Sequence, residues 1–471
     1  MSEKPLKKIT RRDMLKLSGT VAAGALLASC AQAEEPASEE PMEEEPAAEE
    51  EVVEEEPEAM PASGNVVCMH FLHEFTEDHV ALFEEQNPGI TLEVVDGEDP
   101  TRFFAMYAAG TPPDIYRVQA PSVPQFLARG LLLDLTPYFD ASELIDVDDL
   151  MPANDYYKAN SPLDVGSGKI YGMVKDFSPD MSVFANKALF EEAGLGTPDD
   201  KTPMTYDEVM EFSKDLTVFD GERLMQYGFA WENGWMDRYW QNGLSETGQS
   251  LYSAGYDKMV ISGNEDAKAM VKWFYDMCEQ QLTVSPQLPS PGGWTGNDFL
   301  ANVLAMQQYG YWFSAMAESD DNRGNVMMLL APTWTGVRNN RTITSTGAIM
   351  TADSQNPDAA WKAFEFYHGG PPSVERAGSG WGVPGLKSQL DMMPQESDFQ
   401  KQVYAVLQDE LSLDVEPIQF NPFVGENVVP NSWSKFLDQA LTGAITFDEL
   451  VTSMEDEVNL AISESIDRIM G

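Results

Sequence analysis

Residues 66–118 restrict the possible folds more than any other stretch, because strand and helix patterns alternate there without a break. Val66 to Phe71 is a short apolar run that reads as a strand. Glu77 to Gln86 has helical spacing, with Thr76 as cap and Asn87-Pro88-Gly89 as stop. Ile90 to Val95 reads as a second strand, Pro100 opens a helix ending at Gly110, and Asp114 to Val118 reads as a third strand. Strands separated by single helices point to an α/β fold with a mainly parallel sheet. Ligands on such sheets bind beyond the carboxyl ends of the strands. Lys169 to Val174 reads as a further strand, so His73, Glu74, Gln119 and Asp176, all at strand ends, are candidate site residues.

Further elements follow in order. Asn186 to Ala193 reads as a helix closed by Gly194, and Thr205-Tyr206-Asp207-Glu208 as a capping box. Glu265 to Gln281 is long and amphipathic, with Asn264 as cap. Phe299 to Phe313 carries Met306, Tyr309 and Trp312 at helical spacing. Asn356-Pro357 starts a helix reaching His368, and Thr446-Phe447-Asp448-Glu449 opens the last one.

Tyr227 to Gly243 (YGFAWENGWMDRYWQNG) crowds Trp231, Trp235, Tyr239 and Trp240 among Glu232, Asn233, Asp237, Arg238, Gln241 and Asn242. A strand runs into a Gly-broken turn and then a helix. If that helix begins early, Trp231, Trp235 and Tyr239 share one of its faces. Aromatic faces beside carboxylates and amides suit a carbohydrate, whose C–H face stacks while its hydroxyls take hydrogen bonds. The same residues also fit an amphipathic helix with its aromatics packed inside.

Residues 1–33 read as an export signal. Lys4, Lys7, Lys8, Arg11, Arg12 and Lys16 precede the apolar run Leu17 to Leu27, which is too short to span a bilayer. Thr10 to Lys16 (TRRDMLK) resembles a twin-arginine signal, and Leu27-Ala28-Ser29-Cys30 resembles the lipobox of bacterial lipoproteins, which makes Cys30 the lipid attachment residue. Residues 34–63 are mostly Glu, Pro and Ala, which describes an extended acidic tether. These features place the protein at the cell envelope, lipid-anchored on the outer side of the cytoplasmic membrane.

The chain has 29 Lys+Arg against 78 Asp+Glu, a net charge of −49, so nucleic acid is not expected as a partner. No later segment is long and apolar enough to cross a membrane. Cys68 falls in an apolar strand and Cys278 in a helix, so both are expected as buried free thiols.

Motifs for chemistry mostly fail. In His70-Phe71-Leu72-His73-Glu74 the two histidines point to opposite faces of a strand, and the spacing is not HExxH, so no metal is expected. Gly166-Ser167-Gly168-Lys169 lacks the first Gly and the Ser or Thr of a phosphate loop. There is no GxSxG elbow, and no cofactor is expected.

Several segments, in order, resemble the family 1 extracellular solute-binding proteins, the group that includes maltose-binding proteins. They are Phe83 to Ile90 (FEEQNPGI), Ala109 to Ile115 (AGTPPDI), Gly168 to Gly172 (GKIYG), Asn186 to Gly194 (NKALFEEAG), Tyr227 to Ala230 (YGFA), Trp312, and Asn356 to Trp361 (NPDAAW). The resemblance implies a type II periplasmic-binding-protein fold of two α/β lobes joined by hinge crossovers. It implies lobe 1 at 64–175 plus about 340–378, and lobe 2 at 176–339 plus about 379–471. It also implies a monomer that closes over a sugar or oligosaccharide in an interlobe cleft and delivers it to ABC permease subunits, without enzyme activity. Carried over by matching segment, the ligand-binding residues are His73, Glu74, Gln119, Asp176, Trp231, Glu232, Asn233, Trp312, Gly347 and Trp433. Trp235, Trp294 and Trp381 join them as stacking surfaces, although Trp381 in SGWGVP stands where the family often has a small residue. A polyol, a cationic small molecule or, as an enzyme, a tethered carbohydrate hydrolase are the alternatives.

Overall fold

The first helix forms where the sequence places it, for a local reason. Thr76 Oγ1 accepts from the His79 N–H, while the Thr76 N–H donates to His79 Nδ1, a capping box with histidine in the usual acid's place. Glu77–Gln86 then buries Phe83 completely, a transfer gain of about 2 kcal/mol. The computed structural model describes residues 62–413, 415 and 417–470. The twin-arginine motif, Cys30 and the acidic stretch up to residue 61 lie outside the described residues.

In chain order the strands are β1 (Gly64–His70), β2 (Ile90–Asp96), β3 (Ile115–Gln119), β4 (Lys158–Ser161), β5 (Asp164–Ile170), β6 (Gly172–Pro179), β7 (Val183–Asn186), β8 (Val218–Asp220), β9 (Arg223–Ala230), β10 (Leu304–Gln308), β11 (Val326–Leu329), β12 (Thr342–Met350) and β13 (Val383–Pro384). A six-stranded sheet runs β13-β6-β12-β3-β1-β2, and a five-stranded sheet runs β11-β7-β10-β9-β8. Each has a parallel part, β3, β1 and β2 at one end of the first sheet and β9 with β10 inside the second. Antiparallel strands complete both sheets.

The first sheet carries lobe 1 and the second lobe 2. Through Asp180, Met181 and Ser182 the chain passes from β6 into β7, and between β11 and β12 it returns. After β13 it crosses again, since helix Asp398–Leu411 packs on lobe 2. There the Met328 N–H donates to Gln402 Oε1 at 3.0 Å, and the Ala331 N–H to Glu410 Oε1 at 2.7 Å. β6 therefore extends past the expected boundary at 175, and β13 keeps the first sheet going past 379. One face of the six-stranded sheet (Val66, Cys68, Ile115, Met173, Ala348, Met350) packs on Phe83, Trp361 and Phe364. The other face (Met69, Tyr116, Val118, Val174, Ile349) packs on Phe103, Phe126 and Tyr157. Side chains alternate between the two faces, as a strand's period of two requires.

Three expectations change. Phe299 to Phe313 is not one helix: Thr295–Leu300 is helical, β10 follows, and Tyr311–Phe313 is a single 3₁₀ turn. Lys169 to Val174 is not one strand, because the chain leaves the β4–β5 hairpin at Tyr171, whose N–H donates to Tyr157 O at 2.8 Å. The helix after YGFA begins only at Met236, so Trp231, Trp235 and Tyr239 do not share a helical face. Cys68 and Cys278 are buried and free, and burial pushes both thiols above their ordinary range.

Candidate ligand site between the two lobes

Strand register builds the lobe 1 side of the site. Thr346 of β12 lies opposite Gln119 of β3 on one side and Asp176 of β6 on the other, and Asp176 faces Pro384 of β13. Three neighbouring strands thus bring polar residues into one row, with Pro384 of the fourth at its end. Between Asp176 and Val174 the ladder skips Lys175, a bulge that turns the lysine toward its neighbours. Trp381 enters just ahead of β13, after the helix Pro371–Ser379 ends at Gly380. That glycine has φ +75, a left-handed cap that suits glycine.

Beneath the row is a buried charge network. Arg117 makes a two-pronged pair with Glu74, Nε to Oε2 at 2.8 Å and Nη2 to Oε1 at 3.1 Å, and its third nitrogen donates to Glu98. Lys175 Nζ lies 3.0 Å from Glu74 Oε1 and 2.6 Å from Asp176 Oδ2, and Arg376 Nε lies 4.0 Å from Asp176. Burial pushes the Glu74 carboxyl up, but the charges of Lys175 and Arg117 outweigh it and hold the group well below the usual carboxylate range. Burial also works against the Arg117 charge, and Glu74 and Glu98 more than compensate. Glu98 moves the other way, its carboxyl raised by burial that Arg117 does not fully offset.

Lobe 2 supplies the rings. β9 and β10 are parallel, with Gln307 opposite Ala230, so the turns that follow them meet. After β10 come Tyr309, Gly310 and Trp312. A Cβ on Gly310 would lie 2.0 Å from both Ser178 Oγ and Asp180 Oδ1, so only glycine lets this turn pack on the crossing strand. Ring centroids run from Trp381 to Trp312 at 6.0 Å, Trp312 to Tyr309 at 4.7 Å, and Tyr309 to Trp235 at 6.0 Å and to Trp294 at 5.9 Å. A cavity of about 180 Å³ opens between the lobes, with Gln119, Asp176 and Thr346 on one side and Trp235, Trp312 and Trp381 around it. Two of its lining groups, Gln119 Oε1 and Ser178 Oγ, are buried with no hydrogen-bond partner among the described residues.

Residues 71–368 match the family model for bacterial extracellular solute-binding proteins. The chain belongs to that family. The two-lobe periplasmic-binding-protein fold agrees with solved structures. An ABC substrate-binding protein from Listeria monocytogenes in complex with cycloalternan is similar at 21% identity and a TM-score of 0.70, over 85% of this chain and 99% of that one. The ABC transporter associated binding protein from B. animalis subsp. lactis, in complex with β-1,6-galactobiose, is similar at 18% identity and a TM-score of 0.67, over 86% of this chain and 98% of that one. An ABC transporter solute-binding protein from Agrobacterium vitis with bound D-mannitol is similar at 16% identity and a TM-score of 0.64, over 86% and 98%. At these identities the likeness is one of fold. No curated protein sequence matches the chain.

In this solute-binding protein the sequence-predicted residues separate into three cavities and a core. Gln119, Asp176, Trp235, Trp312 and Trp381 line the interlobe cavity. His73 and Glu74 line a second one on lobe 1, of about 230 Å³, which also has Trp381 in its wall. Trp231, Glu232, Asn233 and Trp294 line a third on lobe 2, of about 250 Å³. Gly347 is a correction: it pairs with Val118 and Val174, and a Cβ there would meet Met173 O at 2.1 Å, so it is packed inside the sheet rather than open to a ligand. Trp433 is another, fully buried in the core with its ring edge-on to Trp240 at 5.6 Å. Arg117, Lys175, Ser178, Thr346 and Tyr309 escaped the sequence reading. A lone arginine inside the apolar DIYRV and a lysine directly before Asp176 were the signals available for two of them. Among the described residues no three His, Cys, Asp or Glu side chains are grouped to hold a metal ion, and no helix is long and apolar enough to cross a membrane.

Proposed function

We propose that this solute-binding protein captures a sugar or polyol between its lobes, closes over it by a hinge motion, and hands it to ABC permease subunits. It acts as a monomer held by lipid on Cys30, with the acidic stretch as tether, on the outer side of the cytoplasmic membrane. No bond in the solute is broken. The observation that carries the reading is the pairing of orphaned polar atoms with indole walls in one cavity. Gln119 Oε1 and Ser178 Oγ lack partners among the described residues, and Trp235, Trp312 and Trp381 stand around them half-buried. A hydroxylated solute satisfies such atoms while its C–H faces cover the rings. The bound cycloalternan, β-1,6-galactobiose and D-mannitol of the structural neighbours support the same chemistry.

A cationic solute is served less well, because the Asp176 carboxylate already takes Lys175 at 2.6 Å. Capture and release suit an affinity in the micromolar range, about −8 kcal/mol. The test is tryptophan fluorescence and thermal shift with D-mannitol, maltose, mannobiose and β-1,6-galactobiose. A saturable response to at least one is expected, and silence across the panel removes the carbohydrate and polyol claim.

A further inference from the structure

The helix Met236–Glu246 begins directly after Trp235, so Arg238 lies beside that ring on the first turn. Its guanidinium stands over the Trp235 ring, 5.4 Å from the centroid. The side chain is only 2% exposed, so little water screens the attraction between cation and ring. Arg238 Nη2 donates to Glu426 Oε2 at 3.1 Å, while Nη1 is buried with no hydrogen-bond partner among the described residues. Hydrogen bonds alone leave this buried cation under-compensated, and the ring face supplies part of what is missing.

Glu426 belongs to an irregular segment, Ile418 to Glu426, that touches both lobes. On lobe 2, Asn421 Nδ2 donates to Tyr256 O at 2.9 Å. On lobe 1, the Phe420 ring meets Tyr156 at 5.5 Å, and a Cβ on Gly425 would lie 3.3 Å from Gln125 Nε2. Held on both sides, the segment gives Glu426 a fixed place from which to hold Arg238. Trp235 in turn is half-buried and lines the interlobe cavity with Trp312 and Trp381. We propose that Arg238 is the positioning residue for Trp235: it covers one face of the indole and leaves the other for the solute, and Glu426 sets it from a segment that both lobes touch. Arg238 does not line the cavity, so it acts through the ring and not on the solute. This rests on the interlobe cavity binding a sugar or polyol, and it adds the group that fixes one of the stacking surfaces there.

The test is calorimetric titration with whichever of maltose, mannobiose, β-1,6-galactobiose and D-mannitol binds the wild type. Arg238→Met loses about fivefold in affinity, the cost of a ring that must be ordered on binding. Arg238→Lys regains most of it, since a charge over the ring and a bond to Glu426 are what the position uses. Glu426→Gln loses about threefold. In Trp235→Ala, itself about tenfold weaker than wild type, adding Arg238→Met changes affinity by less than about twofold. An Arg238→Met affinity equal to wild type overturns the proposal, as does a loss of the same size in the Trp235→Ala background. Should Arg238→Met fail to fold in thermal melts, Glu426→Gln carries the same cycle with Trp235→Ala. If none of these solutes binds, the sugar reading fails, and near-UV circular dichroism decides the positioning by itself. The Trp235 signal, wild type minus Trp235→Phe, shrinks when the same difference is taken in the Arg238→Met background, and an unchanged signal overturns the role of Arg238.

Discussion

Lys175→Met isolates the worth of the buried charge network. The side chain is 1% exposed, and its ammonium sits between Glu74 at 3.0 Å and Asp176 at 2.6 Å. Methionine fills much the same space without the charge, so the loss is mainly electrostatic. Glu74 keeps both bonds from Arg117, but Asp176 keeps only Arg376, 4.0 Å away. Removing one partner of a buried pair costs about 3–5 kcal/mol, and the surviving Arg117 bonds place this variant near the lower end, at about 3 kcal/mol. Urea denaturation followed by circular dichroism at pH 7 measures the loss. Adding Asp176→Asn to Lys175→Met restores part of the loss at pH 7, because a neutral amide needs no cation. A single variant within about 1 kcal/mol of wild type at pH 7 would refute the network as a stabilising unit.

Three other outcomes follow from the same geometry. Gln119→Leu weakens binding of any panel sugar that responds by about 1–3 kcal/mol with little change in melting temperature, since the amide oxygen has no protein partner to lose; an intact affinity contradicts its role. Gly310→Ala drives a methyl into Ser178 and Asp180, costs about 1–3 kcal/mol and lowers sugar affinity together with stability, read by thermal melts and titration. Burial holds the His368 imidazole down at about 3, below its ordinary 6.5, so the unfolded chain binds the extra proton between those values and stability falls as pH drops. From pH 7 to pH 5 that one group costs roughly 2 kcal/mol, and His368→Gln should flatten the slope of denaturation midpoint against pH.

Local signals carried much of the fold. The caps at Thr76, Asn264 and Thr205, and the prolines at positions 100 and 357, mark helix starts through backbone bonds that a few adjacent residues decide. β10 escaped because all five of its residues are buried, so it lacks the alternation that separates a strand from a helix, and Met306, Tyr309 and Trp312 fell by chance at helical spacing. Strand ends were legible as site positions, which found Gln119 and Asp176. Trp433 misled because the resemblance carries over a position, and an indole there looks the same in sequence whether its face meets a ligand or Trp240. The Arg117–Glu74–Lys175–Asp176 network depends on register among β3, β6 and the turn after β1, and no local pattern encodes that.

Gln119, Thr346 and Asp176 stand on strands laced to one another by main-chain bonds, whereas Trp235, Trp312 and Trp381 hang from turns and helix ends. The polar half behaves as a fixed plate whose members cannot drift apart without tearing a ladder. The ring half is mounted on parts that tolerate exchange. New solute preferences would accordingly arise by swapping indoles around an unchanged polar row, at little risk to the scaffold beneath.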